Sequence, residues 1–284
     1  MRAANHEERE RPHRLVTVCG RTDTGRRRAE NQDTFVIADL ASGELSRPCA
    51  TADVSVSRPG MLALVCDGMG GGPAGDVAAR VAASTIVEQL EDARDAVLAQ
   101  PASALTSAVE GANRAILDEV AAHPEDEGMG TTCTAAVFCP DHLAVAQVGD
   151  SRAYLLRDGR LELLTRDQTI ATQLIEAGAL DPHNVKNFPL KHVLSQALGT
   201  SGGIKPVITD FALEDGDRVL LCSDGLHGPV SDDAISLILK TSGNPAEAAR
   251  ALIAAALAAG GPDNVTVVVA DCGPLEATPG DGGS

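Results

Sequence analysis

Three short apolar runs in this chain each end in an aspartate with a glycine close beside it. The runs are MLALVCDG, LAVAQVGD and DRVLLCSDG, and the acids at their ends are Asp67, Asp150 and Asp224. Runs of this length, rich in Val and Leu and stopped by turn residues, are typical of short buried β-strands. The core must therefore contain strands whose ends carry carboxylates.

Two further aspartates precede strand patterns. Asp33 stands directly before TFVIAD, and Asp263 directly before NVTVVVA. Because the end of one antiparallel strand lies beside the start of the next, all five acids can meet at one rim of a sheet. Gly68 lacks a Cβ, so its backbone can approach a ligand closely. Carboxylate and carbonyl oxygens are the ligands that Mg²⁺ and Mn²⁺ prefer, and the histidines lack the paired spacing of a zinc helix motif.

An ordinary turn is the simplest explanation of any one Asp-Gly pair, since turns favour both residues. It explains the five acids together less well, because clustered carboxylates without a cation repel one another and raise one another's pKa. Three arginines, Arg26, Arg27 and Arg28, lie shortly before Asp33. A guanidinium there can bind two phosphate oxygens, although a solvated basic loop is the favoured interpretation of Arg26 and Arg27.

Helical patterns, with apolar residues three and four positions apart, alternate with blocks of strand patterns. The predicted helices span residues 74–98, 101–122, 169–177, 232–239 and 245–259. The predicted strands span residues 34–39, 61–66, 132–138, 143–148, 153–157, 207–211, 218–222 and 265–270. Asp158-Gly159 predicts a tight hairpin, and residues 42–60 are predicted to form a long loop. These elements predict an α+β fold in which antiparallel sheets pack on each other with helices outside.

Composition argues against several function classes. The formal net charge of −17 opposes binding to nucleic acid or an anionic membrane, and the chain has no Trp and one Tyr with which to stack bases. Seven scattered cysteines without a C-x-x-C pair predict buried, reduced thiols. The charged N-terminal segment lacks the apolar core of a signal peptide, and no run of about 18 apolar residues occurs. We expect a cytoplasmic monomer with one domain at 15–272 and disordered tails at 1–14 and 273–284.

A set of ordered motifs carries a family resemblance. The segments are TDTGRRRAENQD, VCDGMGGGPAGDVA, GMGTTCTAAV, AQVGDSRAYLLRDGRLELLTRDQT, LSQALGT, LLCSDGLHGPV and GGPDNVTVVV, within residues 22–270. In this order they resemble the metal-dependent type 2C protein Ser/Thr phosphatases, in their bacterial branch. The resemblance implies a four-layer αββα sandwich of two antiparallel sheets flanked by helices. It also implies hydrolysis of phosphoserine and phosphothreonine by direct attack of a metal-activated water on phosphorus.

The resemblance implies two Mn²⁺ or Mg²⁺ ions per active site and assigns their ligands. Asp67 corresponds to the aspartate that bridges the two metals. Gly68 corresponds to a carbonyl ligand of one of them. Asp224 and Asp263 correspond to the other direct ligands.

Further roles follow from the same resemblance. Asp33 corresponds to an acid that holds metal-bound water, and Asp150 with Asp224 corresponds to a third metal site of some bacterial members. Arg28, five residues before Asp33, corresponds to the phosphate-binding arginine. Two positions match supporting residues of the family, Ser223 and Asn264.

The chain departs from the family pattern at three positions. Met69 stands where animal members have a histidine proposed as the general acid, so the leaving group has no obvious proton donor there. Gln168 replaces a frequent histidine, and Gln196 stands where an arginine often precedes Ala-Leu-Gly. These changes concern supporting and flap contacts rather than the metal ligands.

Residues 177–200 correspond to the mobile flap beside the family's active site. Helix breakers within it are typical of an adaptable loop. Its two histidines, His183 and His192, are candidates for substrate contact, although surface polar side chains are the favoured interpretation.

Two rival functions stay open at this point. The first is a non-catalytic module of the same fold that binds a phosphoprotein or a kinase, which the complete ligand set at Asp67, Asp224 and Asp263 disfavours. The second is a metal-dependent hydrolase of small phosphoesters or nucleotides, although no G-x-x-x-x-G-K-[ST] loop is present. The expected partners of an enzyme are phosphorylated proteins, with a Ser/Thr protein kinase as a further candidate.

Overall fold

Two antiparallel β-sheets pack face to face. The structure is a computed structural model, and it describes residues 13–276 apart from 41, 43, 47–50, 57–59, 71–73 and 201–202. From edge to edge, the strands of the first sheet are β10 (Arg160–Leu163), β9 (Arg152–Arg157), β12 (Arg218–Cys222), β13 (Val265–Glu276), β1 (His13–Asp23) and β4 (Thr51–Val56). Those of the second are β11 (Val207–Ala212), β8 (His142–Val148), β7 (Cys133–Phe138), β5 (Met61–Met69), β2 (Asp33–Asp39) and β3 (Glu44–Ser46). The short β6 (Gly130–Thr131) pairs with the end of β5.

Helices cover both outer faces of the sandwich. The second sheet carries α1 (Ala74–Asp92), α2 (Arg94–Ala99) and α3 (Pro101–Ala122). A short α4 (Ile170–Glu176) follows β10. The first sheet carries α5 (Asp224–His227), α6 (Asp232–Thr241) and α7 (Pro245–Ala258).

Strand alternation divides the apolar side chains between the layers. Val16 and Val18 of β1 belong to the cluster between the sheets, whereas Cys19 belongs to the cluster beneath α7. This follows from the two-residue period of a strand, in which successive side chains point to opposite faces. On the other side, small residues such as Ala78 and Ala82 let α1 lie close to the second sheet. A core with few aromatic residues is filled in this way by Val, Leu and Ala.

The predicted α+β sandwich is confirmed, and the predicted helices and strands lie within a few residues of their expected places, except that the helix predicted at 74–98 is divided near its end into α1 and α2. The hairpin at Asp158-Gly159 is also confirmed. Both residues have positive φ, 50° and 70°, as a two-residue turn of this hand requires. Arg157 and Arg160 close the turn as register partners.

The predicted long loop at 42–60 is wrong, because β3 and β4 lie within it and form edges of the two sheets. Each is a short edge strand in a stretch rich in Ser, Pro and Gly, which otherwise indicate a loop. The prediction also omits β1. Because β1 begins at His13 and pairs with β13 out to Glu276, strand pairing extends beyond the expected 15–272 at both ends. Residues 1–12 and 277–284 of the expected tails lie outside the described residues.

The cysteines of the described ranges are free and buried, as predicted: Cys19, Cys66, Cys133, Cys139, Cys222 and Cys272. Cys49 lies outside the described residues. In the part of the chain that the structure describes, no helix has both the length and the apolar character needed to cross a membrane.

Candidate active site

The strand ends bring the predicted acids to one end of the sandwich. Asp33 and Asp67 are register partners where β2 begins and β5 nears its end. Asp224 opens α5 two residues after β12, Asp150 lies two residues after β8, and Asp263 lies two residues before β13. Four of these acids line one cavity of about 580 Å³, together with Arg28, Gly68 and Met69. Asp33 is the exception, because it is buried and does not line the cavity.

Asp33 is a buried carboxylate with one satisfied oxygen. Its Oδ2 accepts a hydrogen bond from the Ser223 hydroxyl at 2.7 Å, and its Oδ1 is buried without a hydrogen-bond partner. Burial raises the pKa of Asp33 to about 7, because the charged form loses its hydration. A buried carboxylate oxygen without a partner indicates that something else, a water or a cation, completes this position.

Burial and mutual repulsion raise the pKa values of three acids that line the cavity. Burial raises the pKa of Asp67 well above its usual value, and the charges of Asp33 and Asp224 add to the shift. The pKa of Asp224 is raised by burial and by Asp263, with a hydrogen bond to Asp67 acting in the opposite direction. The pKa of Asp150 rises to about 8, through burial first and the charge of Asp224 second. A cation would relieve this repulsion.

Arg28 lies on the cavity rim and pairs with Asp263, at 2.6 Å between its Nη2 and the Oδ2 of the aspartate. The hydrogen bond and the charge of Asp263 raise the pKa of Arg28. Its side chain remains 56% exposed, so part of the guanidinium faces solvent and can reach a ligand. Arg26 acts differently: its Nε donates to the Leu257 carbonyl at 3.0 Å and ties the loop to the end of α7. Within the described ranges, neither Arg26 nor Arg27 lines the cavity.

Two glycines permit the close backbone approaches that build the site. A Cβ on Gly68 would collide with the Gly75 carbonyl in α1, and one on Gly225 would collide with the Asn264 carbonyl ahead of β13. Any side chain at Gly225 would therefore push the start of α5, which carries Asp224, away from the segment that carries the neighbouring ligand.

Asn264 and Ser223 hold backbone segments next to the clustered acids. The Asn264 side chain donates to the Thr24 and Glu30 carbonyls at 2.9 and 2.8 Å and accepts from the Gln32 backbone at 2.9 Å. It thereby fixes the loop that carries the rim arginine. The Ser223 hydroxyl also accepts from the Thr266 backbone at 3.0 Å, which joins β12 to β13.

Two threonines that the sequence analysis missed hold Asp67. The Thr132 hydroxyl accepts from the Asp67 backbone N–H at 3.0 Å, and the Thr131 hydroxyl donates to the Asp67 carbonyl at 2.9 Å. Their signal is the Thr-Thr pair in GMGTTCTAAV. A hydroxyl pair at the start of a strand can satisfy backbone groups where a ladder is interrupted.

The flap contributes three residues to the cavity wall: Lys191, His192 and Leu194. His192 is close enough to Asp224 to lower the pKa of that carboxyl, although burial and Asp263 outweigh it. His183 does not line the cavity, and its backbone N–H is bound by the Asp181 side chain at 2.9 Å. Met69, also in the wall, has a thioether that carries no proton to donate.

As the side chains stand, no group of three or more His, Cys, Asp or Glu within the described residues closes on a single metal position. Four of the acids nevertheless line one cavity. A rotation about Cα–Cβ would move their carboxylate oxygens closer together, whereas the strand ends fix where each Cα lies. The set of hard oxygen donors, the partnerless Oδ1 of Asp33 and the mutual repulsion all fit Mg²⁺ or Mn²⁺.

Comparison with known proteins identifies the family. The Protein phosphatase 2C family model matches residues 48–259. The serine/threonine protein phosphatase PstP of Mycobacterium tuberculosis is 40% identical over 84% of this chain, which spans 45% of that longer protein. The serine/threonine phosphatase stp of Listeria welshimeri is 31% identical over 88% of this chain and 94% of its own length.

A solved structure agrees in fold. The catalytic domain of PstP in complex with two manganese ions superposes with a TM-score of 0.73 at 36% identity, and the match covers 92% of this chain and all of that one. The chain therefore belongs to the protein phosphatase 2C family.

Proposed function

We propose that this chain is a metal-dependent protein serine/threonine phosphatase that hydrolyses phosphoserine and phosphothreonine. The observation that carries the proposal is one cavity lined by Asp67, Asp150, Asp224 and Asp263 with Arg28 on its rim. The named activity of the Mycobacterium and Listeria relatives and the two manganese ions bound to PstP support it. The catalytic unit is the sandwich domain at 15–272 with its two strand extensions.

In this proposal, Asp67, the Gly68 carbonyl, Asp224 and Asp263 ligate two Mn²⁺ or Mg²⁺ ions, and Asp150 with Asp224 takes a third. When bound, these ions lower the pKa of water and offset charge on the phosphoryl group. Their charge also replaces the protons that the metal-free acids retain.

The remaining roles belong to side chains around the cavity. Arg28 orients the phosphate by donating from its exposed N–H groups. Asp33 would hold a water molecule by accepting a hydrogen bond at Oδ1, while its Oδ2 stays fixed by Ser223. Phosphorus is attacked directly, without a covalent phosphoenzyme. Met69 supplies no proton to the leaving oxygen.

The physiological setting is part of the same proposal. Phosphorylated proteins are the substrates, and a Ser/Thr protein kinase that modifies them is the expected functional partner. We also propose that the protein is cytoplasmic and monomeric. Its high negative charge opposes nucleic acid and anionic membrane partners.

Asp67→Asn tests the proposal directly, because it removes a ligand charge while preserving side-chain shape. We expect turnover of a phosphoserine peptide in saturating Mn²⁺ to fall at least about 1000-fold, with Asp95→Asn, an exposed acid in α2, as the matched control. Wild-type turnover in the Asp67 variant would contradict the assigned role. Peptide binding without any wild-type turnover would indicate the binding module, and faster hydrolysis of free nucleotides would indicate the small-phosphoester hydrolase.

A further inference from the structure

Buried side chains hold the turn that carries Asp150. The Oε1 of Gln168 accepts from the Gly149 N–H at 2.8 Å, and the Gln168 backbone N–H donates to the Gly149 carbonyl at 2.9 Å. Gln168 therefore binds both backbone groups of the residue that precedes Asp150. Gly149 itself has a φ of 98°, a backbone conformation that glycine adopts readily and that would strain any residue with a side chain.

Gln147 and His227 complete the support of this turn. The Nε2 of Gln147 donates to the carbonyls of Gly149 and Ser151, at 3.2 Å each. The Nε2 of His227 lies 3.0 Å from the Asp150 carbonyl, and His227 shares α5 with Asp224. Gln147 is 1% exposed, so its bonds form away from water, where an unpaired polar group is most costly.

The same Gln168 also lies at the base of the flap. Its carbonyl accepts from the Ser195 N–H at 2.8 Å, next to an isolated bridge between Thr169 and Leu194. One residue further on, the Ile170 N–H donates to the Val193 carbonyl at 2.9 Å. These bonds set the position of the flap segment whose Lys191, His192 and Leu194 form one wall of the cavity.

We propose that Gln168 is a positioning residue that couples the flap to the Asp150 carboxylate. Its side chain fixes the turn before Asp150, and its backbone fixes the returning edge of the flap. A cation bound through Asp150 then stabilises the ordered flap, and an ordered flap strengthens that cation site. The two effects must be equal in free energy, because coupling between two binding or ordering equilibria is reciprocal.

This inference rests on the proposed function only in taking Asp150 as a metal ligand. A purely structural glutamine is the competing explanation, since a buried amide can serve packing alone. The two explanations differ in one measurable respect. A structural residue affects the whole sandwich, whereas a coupling residue changes how the flap responds to metal.

The test uses Gln168→Met, which retains side-chain length but has neither Oε1 nor Nε2. The matched control is Gln196→Met in the same flap, because the Oε1 of Gln196 accepts from the Lys205 N–H at 2.7 Å and makes no contact with Gly149. Mn²⁺ binding to the full chain is followed by calorimetric titration, and Asp150→Asn identifies the binding step that depends on Asp150. Hydrogen exchange of flap amides is measured with and without Mn²⁺.

We expect Gln168→Met to weaken the Asp150-dependent Mn²⁺ step about 10- to 100-fold and to leave the other steps unchanged, as loss of a residue supporting a ligand does elsewhere. Mn²⁺ should slow exchange of flap amides in wild type and in Gln196→Met, and should not do so in Gln168→Met. For a phosphopeptide, kcat should fall more than KM rises.

Three results would overturn the coupling role. They are unchanged Mn²⁺ binding in Gln168→Met, retained metal-dependent protection of its flap, and a loss of protection spread evenly over the sheets. Failure of the proposed function has a separate signature, since wild type would then bind Mn²⁺ and protect the flap without hydrolysing phosphopeptide.

Discussion

Replacing Asp150 with asparagine should stabilise the metal-free protein while impairing its metal site. Asp150 is 6% exposed, and burial with the charges of Asp224 and Asp167 raises its pKa to about 8 from its ordinary value of 3.8. The native state therefore retains a proton that the unfolded chain releases. As pH rises from about 4 to about 8, the free energy of unfolding falls, because the native state binds more protons than the unfolded state over this range.

The free-energy cost of ionising Asp150 in the native state follows from the shift of its pKa. Four pKa units at about 1.4 kcal/mol each give an upper limit of about 5 to 6 kcal/mol at pH 8 and above. Water entering the open cavity screens part of this, so we expect Asp150→Asn to gain about 2 to 5 kcal/mol. For a domain of this size, about 2 to 4 °C of Tm accompanies each kcal/mol, which predicts a Tm increase of at least about 4 °C.

The assay is thermal unfolding of the Asp150 variant, wild type and the Asp95→Asn control in chelator at about pH 8, 6 and 4.5. The difference in Tm between the variant and wild type should shrink as pH falls and nearly vanish by about pH 4. Added Mn²⁺ should reverse the order, because it stabilises whichever native state binds it more tightly. If the variant were no more stable than wild type in chelator at pH 8, the argument that burial and neighbouring charges raise the pKa of Asp150 would be refuted.

Three other changes test single contacts of the site and the fold. Arg28→Lys keeps the charge but not the forked donors, so KM for a phosphopeptide should rise about 10- to 100-fold, measured by steady-state kinetics, with little change in Mn²⁺ affinity. Gly225→Ala should lower kcat about 100-fold, because the added Cβ would collide with the Asn264 carbonyl and push α5 away from it, and unchanged kcat would disprove that close approach. Arg14→Met should lower the free energy of unfolding by about 3 kcal/mol in a denaturant titration and leave kcat unchanged. The reason is that Arg14, which is 1% exposed, donates hydrogen bonds to the carbonyls of Pro140 and Gly273 at 2.7 and 2.6 Å.

The positions of the clustered acids were predictable because each is fixed by where an apolar run begins or ends. Asp67 follows such a run directly, Asp150 follows one after a single glycine, and Asp263 precedes one, so strand pairing brings them to one rim. The exposed pairing of Arg28 with Asp263 was not predictable, since it joins positions 235 residues apart that carry no periodic signal.

The supporting hydrogen bonds were harder still. Gln168 appears in the sequence as a departure from a family pattern, and only the folded backbone shows that its amide binds Gly149. The edge strand β4 was missed for a related reason. Its partner β1 is separated from it in sequence by β2 and β3, which belong to the other sheet. The apolar alternation of β4 is also as short as that of many loops.

The distribution of the proposed ligands over the two sheets would give metal binding a second consequence. Asp67 lies near the end of β5 and Asp150 follows β8, both in the second sheet, whereas Asp224 and Asp263 adjoin strands of the first. In the proposed site, a cation held by Asp67 and Asp224 would join the open ends of both sheets, at a point where each carboxylate raises the pKa of its neighbours. The apolar layer between the sheets must be strong enough to hold this end closed without metal, and the buried valines and leucines there provide that attraction. The rigidity that places the acids and the repulsion that favours a cation thus arise from the same arrangement of strand ends.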